Sequence, residues 1–352
     1  MRYFAGFMCA LTLFACSSET STTELEQFLD EYISERTVDE SGVAVALIGP
    51  GGIELEKGYG MANIEEADPV GSDTVFNLAS VSKQFTAAAI MVLYEEGKVD
   101  PGDRVTETFP EAPAEWESMT VHHLLTHQSG LSGISSRGLN NDEVLTRLLE
   151  APLDFAPGDD FQYTNSSYVV LAILIERVTG EPFEDFLRER IFEPIGMRDS
   201  VVTEDAPPDV PNLAQPYLMG VTYEYSESMM GASNQYSTLA DMIQWELSIR
   251  NASLLSPDTL ALVFTRHVEI PEERRISDNE DCGYGYGWFI CTVEADLLQH
   301  HGGRGLAFRT FIDRVPAENL TVIMLSNGSH EWTYDIGPAL WEFYVNGGEA
   351  SP

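Results

Sequence analysis

Gly42-Val43-Ala44-Val45-Ala46-Leu47-Ile48 runs into the turn Gly49-Pro50-Gly51-Gly52 and then into Ile53-Glu54-Leu55-Glu56-Lys57-Gly58-Tyr59. The first run is apolar and glycine-bounded, the second alternates, and the Gly/Pro cluster between them supplies a turn, so the pair reads as a β-hairpin. Before it, a helix is expected from about Glu24 to Glu35, and Ser17 to Thr23 reads as a polar tether.

Beyond the hairpin the pattern changes. Ser72 to Ser82 leads to an apolar, alanine-rich run from Phe85 to Tyr94, closed by Glu95-Glu96-Gly97, which carries helix-end chemistry. From about Val99 to Thr265 helical segments alternate with Pro/Gly loops, among them Ser166 to Thr179 ending at Gly180, and Glu181 to Ile191 with Pro182 in its first turn. Strand patterns then return at Tyr284 to Thr292, Leu297 to His301, Ala307 to Val315 and Leu320 to Ser326, before a last helix from Ile336 to Val345. There is no internal repeat. The expectation is one sheet built from both ends of the chain, about 24–75 plus 280–348, with a helical subdomain of about 76–279 inserted between them.

The chain has 352 residues, with 19 Lys+Arg against 57 Asp+Glu and a formal charge of −38. With 43% hydrophobic and 10% aromatic residues it can bury a large core, which excludes disorder. So acidic a surface repels phosphate backbones and anionic headgroups, which argues against nucleic acid and against a polybasic membrane contact. Residues 1–16 read as an export signal: Met1, Arg2, an apolar stretch from Tyr3 to Ala15, then Cys16 before Ser17 and Ser18. A spanning helix needs about 20 apolar residues, so the stretch is too short to cross a bilayer comfortably. Leu13-Phe14-Ala15-Cys16 resembles a bacterial lipobox, in which the cysteine is lipidated and becomes the mature N-terminus. An exported lipoprotein on the periplasmic face of a bacterial membrane, the outer membrane in the first place, is expected, anchored only through Cys16. An ordinary signal peptide cut nearby and an uncleaved tail are the alternatives. With Cys9 in the removed segment and Cys16 carrying lipid, Cys282 and Cys291 are left. An oxidising compartment invites a bond between them. Nine steps of extended chain, however, span about 30 Å against the roughly 5.5 Å between bridged Cα atoms, so the bond requires the segment to fold back. Both states stay open.

The candidate chemistry begins at Ser80-Val81-Ser82-Lys83. Three helical residues separate two side chains by about 60° and 4.5 Å of rise, so Ser80 and Lys83 share a face. A serine hydroxyl needs a base to take its proton, and an amine can do so when burial lowers its pKa. Ser80 at a helix start would also have backbone N–H groups beside it for an oxyanion. An N-cap serine with a solvated lysine is the plain alternative. Against it, the chain has three lysines, Lys57, Lys83 and Lys98, and Lys83 interrupts an apolar helix start. The second element is Tyr163-Thr164-Asn165 at a loop-to-helix junction, where Tyr163 can pass protons and Asn165 can hold an amide or carbonyl; a core tyrosine with an N-cap asparagine is its ordinary reading. The third is His301-Gly302-Gly303, where glycines let the backbone approach a ligand and His301 offers a donor or acceptor, or else a tight turn carries an exposed histidine.

In this order and spacing the three elements resemble the serine β-lactamase and penicillin-binding superfamily, in particular the class C β-lactamase-related branch of esterases and D-amino-acid peptidases. Leu124-Leu125-Thr126-His127-Gln128-Ser129-Gly130-Leu131, Pro194-Ile195-Gly196-Met197, Ser237-Thr238-Leu239-Ala240-Asp241-Met242 and Tyr284-Gly285-Tyr286-Gly287-Trp288 are similar to segments of that branch, and the likeness runs from about Gly42 to Val345. It implies an α/β (α+β) fold of β-lactamase/transpeptidase type, with an antiparallel sheet flanked by helices. It further implies Ser80 as the nucleophile of an acyl-enzyme, Lys83 and Tyr163 as base and acid, Asn165 as a substrate contact, and the backbone N–H groups of Ser80 and Arg304 as the oxyanion hole. No metal or cofactor is expected.

One departure bears on the substrate. The superfamily's usual K-T-G is here His301-Gly302-Gly303, and a mostly neutral histidine pairs with a carboxylate less strongly than an ammonium does. Hydrolysis of a small ester or amide, or of a peptide as a D-aminopeptidase-like enzyme would, is therefore expected ahead of penicillin destruction. Arg304 or Arg309 supplying the lost charge would keep a β-lactamase or D,D-carboxypeptidase as second choice. His122, His123 and His127 cluster, the last two one helical turn apart as in a zinc pair, but no third ligand is evident. A non-catalytic lipoprotein that binds cell-wall peptide or a partner protein is the reading from another class. A binder need not keep Ser80, Lys83, Tyr163 and Asn165 together, and this chain has all four.

Overall fold

Eight strands form the central sheet: β1 (Val43–Gly49), β2 (Gly52–Tyr59), β3 (Val268–Glu269), β4 (Asp281–Tyr284), β5 (Phe289–Val293), β6 (Asp296–Arg304), β7 (Arg309–Val315) and β8 (Leu320–Ser326). The computed structural model describes residues 22–36, 39–135, 138–204, 207–223, 229–272, 281–293 and 296–346; the expected leader with Cys16 and most of the tether lie outside them. The spatial order is β3-β4-β5-β6-β7-β8-β1-β2, every pair antiparallel. The two chain ends meet where Val43 of β1 faces Ser326 of β8 and Ile48 faces Thr321.

All seven residues of β1 are buried because the sheet is covered on both faces. Val43, Val45 and Leu47 pack with Leu25, Leu29 and Ile33 of α1 (Thr22–Arg36) and with Ile336, Leu340 and Phe343 of a C-terminal helix. Ala44, Ala46 and Ile48 face the opposite way, into the larger core shared with the inserted helices. Those that position the site are α2 (Ser82–Glu95), α3 (Val121–Leu125), α4 (Asn165–Thr179) and α5 (Leu239–Arg250); the C-terminal helix is α6 (Ile336–Val345). α2 and α4 are apolar nearly all round because they are buried nearly all round. Among the described residues, two short ladders lie in the insertion, one of them pairing Gln235–Ser237 with both Phe76–Asn77 and Val201–Val202, and a third pairs Met61–Asn63 with Asp68–Pro69 before it.

Two expectations change in detail. The helix expected from Glu181 to Ile191 runs as Phe183–Leu187 into a π-helical turn at Arg188–Phe192 and ends at Gly196 in the left-handed region. The strand expected over Tyr284–Thr292 breaks at Gly285–Trp288: Gly287 takes φ 78°, the Gly285 N–H donates to the Trp288 carbonyl at 2.8 Å, and β5 folds back along β4. A Cβ at Gly287 would come within 3.0 Å of both the Lys83 carbonyl and the Ala87 Cβ, so the turn also needs glycine to sit against α2. Because β5 folds back, Cys282 lies opposite Cys291, and the two are joined by a disulfide.

α5 is tied to the sheet by charge. Glu246 is fully buried and accepts from Arg250 at 2.7 Å, from Arg314 of β7 at 2.8 Å and from the Thr321 hydroxyl of β8 at 2.8 Å. Arg250 reaches on to the Gly49 and Ile48 carbonyls at the end of β1.

Candidate active site

The turn before α2 is built to present Ser80. Ala79 holds φ 47°, a left-handed conformation uncommon for a residue with a Cβ, and it is over-determined by its neighbours. Asn77 Oδ1 accepts the Ala79 N–H at 2.7 Å, the Leu78 N–H donates to the Gln235 carbonyl at 2.8 Å, and the Leu78 carbonyl accepts from the Thr310 hydroxyl of β7 at 2.7 Å. Ser80 then lies in a 3-10 turn, Ala79–Val81, and α2 starts at Ser82, so Ser80 and Lys83 do not share one α-helix. A 3-10 turn eclipses residues three apart, and the pair still meets, with Lys83 Nζ 3.1 Å from Ser80 Oγ.

Lys83 is fully buried, and Nζ also lies 2.8 Å from Asn165 Oδ1 and 2.8 Å from the Ala232 carbonyl. None of these partners carries a charge. Desolvation therefore holds the Lys83 pKa well below the ordinary lysine range. Asn165 is delivered as the first residue of α4, whose N-cap is Thr164, its hydroxyl accepting the Ser166 N–H. Tyr163 precedes that cap. Its ring sits 4.9 Å from Lys83 Nζ, its hydroxyl is close enough to Ser80 to influence its pKa, and it keeps 37% exposure at the rim. Burial raises its phenol above the usual tyrosine range, with the nearby Ser80 hydroxyl opposing.

His301 is buried, its Nδ1–H donating to the Gly302 carbonyl at 2.8 Å and its Nε2 3.1 Å from the Tyr284 hydroxyl. Burial holds its pKa well below the ordinary histidine value, so the ring is neutral. A Cβ at Gly303 would come 2.1 Å from Thr310 Oγ1 and 2.3 Å from the Leu78 carbonyl, which is why β6 needs glycine where it crosses the Ser80 turn. Gly302 is under less pressure, its added Cβ meeting the Tyr334 ring at 3.4 Å and the Thr310 carbonyl at 4.0 Å, both ordinary contacts. Tyr284, Phe289 and Phe161, beside the disulfide, complete a wall along this flank. The phenyl of Phe289 stacks on Tyr163 at 6.0 Å between centroids.

Arg304 and Arg309 are cross-strand partners, and both bind Glu331, Arg309 at 3.0 Å. Side chains alternate across a sheet, and Thr310, next to Arg309, points at Leu78 while Phe311 packs with α1 and α6. The two guanidinium groups therefore leave the sheet on the face opposite Ser80. The three histidines near α3 also part company. His122 Nδ1 meets the Tyr286 hydroxyl at 2.9 Å, His123 caps α3 through the Thr120 N–H, and His127 turns inward to Tyr163. Among the described residues, Cys282, Cys291 and His300 are the one group of three that brings metal-ligand atoms close together, and two of its sulfurs are spent in the disulfide.

Sequence reasoning had no access to the Ala232 carbonyl, since a backbone acceptor carries no side-chain signal. The Tyr284 segment carries no sequence signal of a role for Tyr284, and the grouping of His127 with His122 and His123 suggests only a metal ligand.

Fold and site together define a serine hydrolase of mixed α/β build, with a serine, a buried lysine, a tyrosine and an asparagine converging beneath one strand of an antiparallel sheet. The chain belongs to the Beta-lactamase family, whose model matches residues 29–341. It is similar to penicillin-binding protein 4* of Bacillus subtilis, 26% identical over 84% of this chain and 70% of that protein. It is also similar to the esterase EstB of Burkholderia gladioli, 28% identical over 91% of this chain and 94% of that protein. Among solved structures, the octameric penicillin-binding protein homologue from Pyrococcus abyssi superposes with a TM-score of 0.81 and 26% identity, over 93% of this chain and 78% of that one.

Proposed function

We propose that the enzyme hydrolyses small esters, and more slowly amides, through an acyl-enzyme on Ser80. The observation that carries the reading is the 3.1 Å approach of Ser80 Oγ to a fully buried amine without an anionic partner. A neutral Lys83 takes the Ser80 proton as Oγ attacks the substrate carbonyl, while Asn165 Oδ1 and the Ala232 carbonyl hold the amine in place. The backbone N–H groups of Ser80 and Arg304 donate hydrogen bonds to the carbonyl oxygen as negative charge builds on it. As the tetrahedral adduct collapses, Tyr163 delivers a proton to the departing alkoxide and the acyl group stays on Ser80. Water, deprotonated by the same pair, then releases the acid and restores the serine.

Among the described residues, the groups expected to meet a substrate carboxylate offer it no free cation, which supports neutral substrates over carboxylate-bearing ones. His301 is neutral, and Arg304 and Arg309 lie on the other face with Glu331. The similarity to an esterase along nearly the whole of both chains points the same way. A β-lactamase or D,D-carboxypeptidase is the second reading, favoured by the likeness to penicillin-binding protein 4*. Purified protein should turn over p-nitrophenyl butyrate and acetate faster than nitrocefin or a D-alanine p-nitroanilide, with an acyl adduct on Ser80 by intact mass. Ser80→Ala should cut turnover by about 10⁴-fold or more while the chain still folds. Activity that survives this change would sink the nucleophile assignment, a preference for nitrocefin would select the second reading, and folded protein with no turnover and no adduct would leave a binding lipoprotein.

Export and a lipid on Cys16 belong to the same proposal and rest on the leader pattern Leu13-Phe14-Ala15-Cys16. Cys16→Ser should move the protein from the membrane fraction to the soluble one; an unchanged partition would overturn the anchor.

A further inference from the structure

His127 stands beside the residues assigned above and has no part in the reaction as written. It follows α3 with φ 58° and is fully buried. Its backbone carbonyl accepts the Gln162 N–H at 2.9 Å, and its Nδ1 accepts the Thr164 N–H at 3.3 Å. These two bonds bracket Tyr163, one residue to either side. Thr164 is the N-cap of α4 in extended conformation, so its N–H has no helical partner, and it is buried, so it has little access to water. Accepting at Nδ1 also fixes the tautomer, leaving the proton on Nε2 among the rings of Tyr163 at 4.4 Å, Tyr284 at 4.8 Å and Tyr168 at 5.1 Å. Burial keeps this imidazole neutral, which spares Lys83 a neighbouring cation.

We infer that His127 is a positioning residue that clamps the Gln162–Thr164 segment so that the Tyr163 hydroxyl stays in register with Ser80 and Lys83. The inference rests on the reading of Tyr163 as proton carrier. A histidine that merely fills the core would stabilise the fold without acting through Tyr163, and the two roles separate experimentally. Asparagine tolerates a left-handed backbone and puts its Oδ1 where Nδ1 now accepts, whereas glutamine reaches toward the Nε2 position and leaves the Thr164 N–H bare.

The test is a double-mutant cycle read by single-turnover acylation with p-nitrophenyl butyrate, with kcat, KM and melting temperature recorded for each variant. His127→Ala should slow acylation by about 10- to 100-fold, as a misplaced acid–base group does, with KM within about threefold. His127→Asn should recover most of the loss and His127→Gln little of it. In a Tyr163→Phe background, His127→Ala should add less than about threefold, because the group it positions is already gone. A full-size effect in that background, or equal rates for Asn and Gln, would overturn the clamp. Should His127→Ala fail to fold, the Asn-against-Gln comparison decides alone. If Tyr163→Phe itself acylates at the wild-type rate, the proton-carrier reading has failed, a result distinct from a failure of the clamp.

Discussion

Glu246 and Lys83 are both fully buried ionisable residues on helices packed against the same sheet, and the protein treats them in opposite ways. Glu246 is met by two guanidinium groups and a hydroxyl, which binds α5 to β7, β8 and, through Arg250, to β1. Lys83 is met by a serine, an asparagine and a carbonyl, all neutral. Carboxylates were not in short supply, since the chain carries 57 Asp+Glu, and the other two lysines each have one: Lys57 pairs with Asp30 at 2.6 Å and Lys98 with Glu96 at 3.0 Å. A buried charge that is fully paired holds layers together. A buried amine left without a counter-ion is costly to protonate, and that cost is what makes it a base at neutral pH.

The largest expected effect comes from erasing the second region. Lys83→Met should lower kcat/KM for p-nitrophenyl butyrate by about 10³-fold or more, the scale of losing a positioned general base, with the melting temperature unchanged or raised. A variant that kept its activity would show that Tyr163 suffices alone. The opposite outcome is expected for the first region. Glu246→Leu strands Arg250 and Arg314 without their carboxylate and should cost about 3–5 kcal/mol in urea unfolding, with kcat per folded molecule preserved. If Glu246→Leu lowered kcat as much as it lowered stability, the division between a structural and a chemical buried charge would not hold.

The same contrast explains what the sequence disclosed. The hairpin at Val43–Tyr59, the strand Leu320–Ser326 and the helix Ile336–Val345 were legible because apolar runs end at glycines or polar turns. Tyr284–Thr292 was misread as one strand because its alternation continues through Gly287, and only packing against α2 shows that the glycine is a turn. For the same reason the Cys282–Cys291 bond stayed open: the fold-back it needs is that turn. Ser80 and Lys83 were legible because their relation is local in sequence. Glu246 gave no signal, since a glutamate in a helix ordinarily faces water and its partners Arg314 and Thr321 lie far along the chain. His127 was visible as a residue but not as a clamp, because its partners are the backbone N–H groups on either side of Tyr163.

The smallest effect separates the two regions most cleanly. An unfolded lysine titrates near 10.4, whereas burial holds folded Lys83 well below that. Between the folded and unfolded values the unfolded chain binds a proton that the folded chain does not. Stability therefore rises with pH through that window, by about 1.4 kcal/mol per pH unit from this one group, and is flat on either side of it. Lys83→Met removes this slope, and above about pH 7.5 the histidines are neutral in both the folded and the unfolded chain, so there the wild-type minus variant difference in urea-unfolding free energy should climb with pH. Activity should share the lower edge of the window, rising with pH as Lys83 loses its proton. A flat difference across the window would mean that the folded amine is charged at neutral pH, and Lys83 would then be a paired structural cation of the Glu246 kind and not a base.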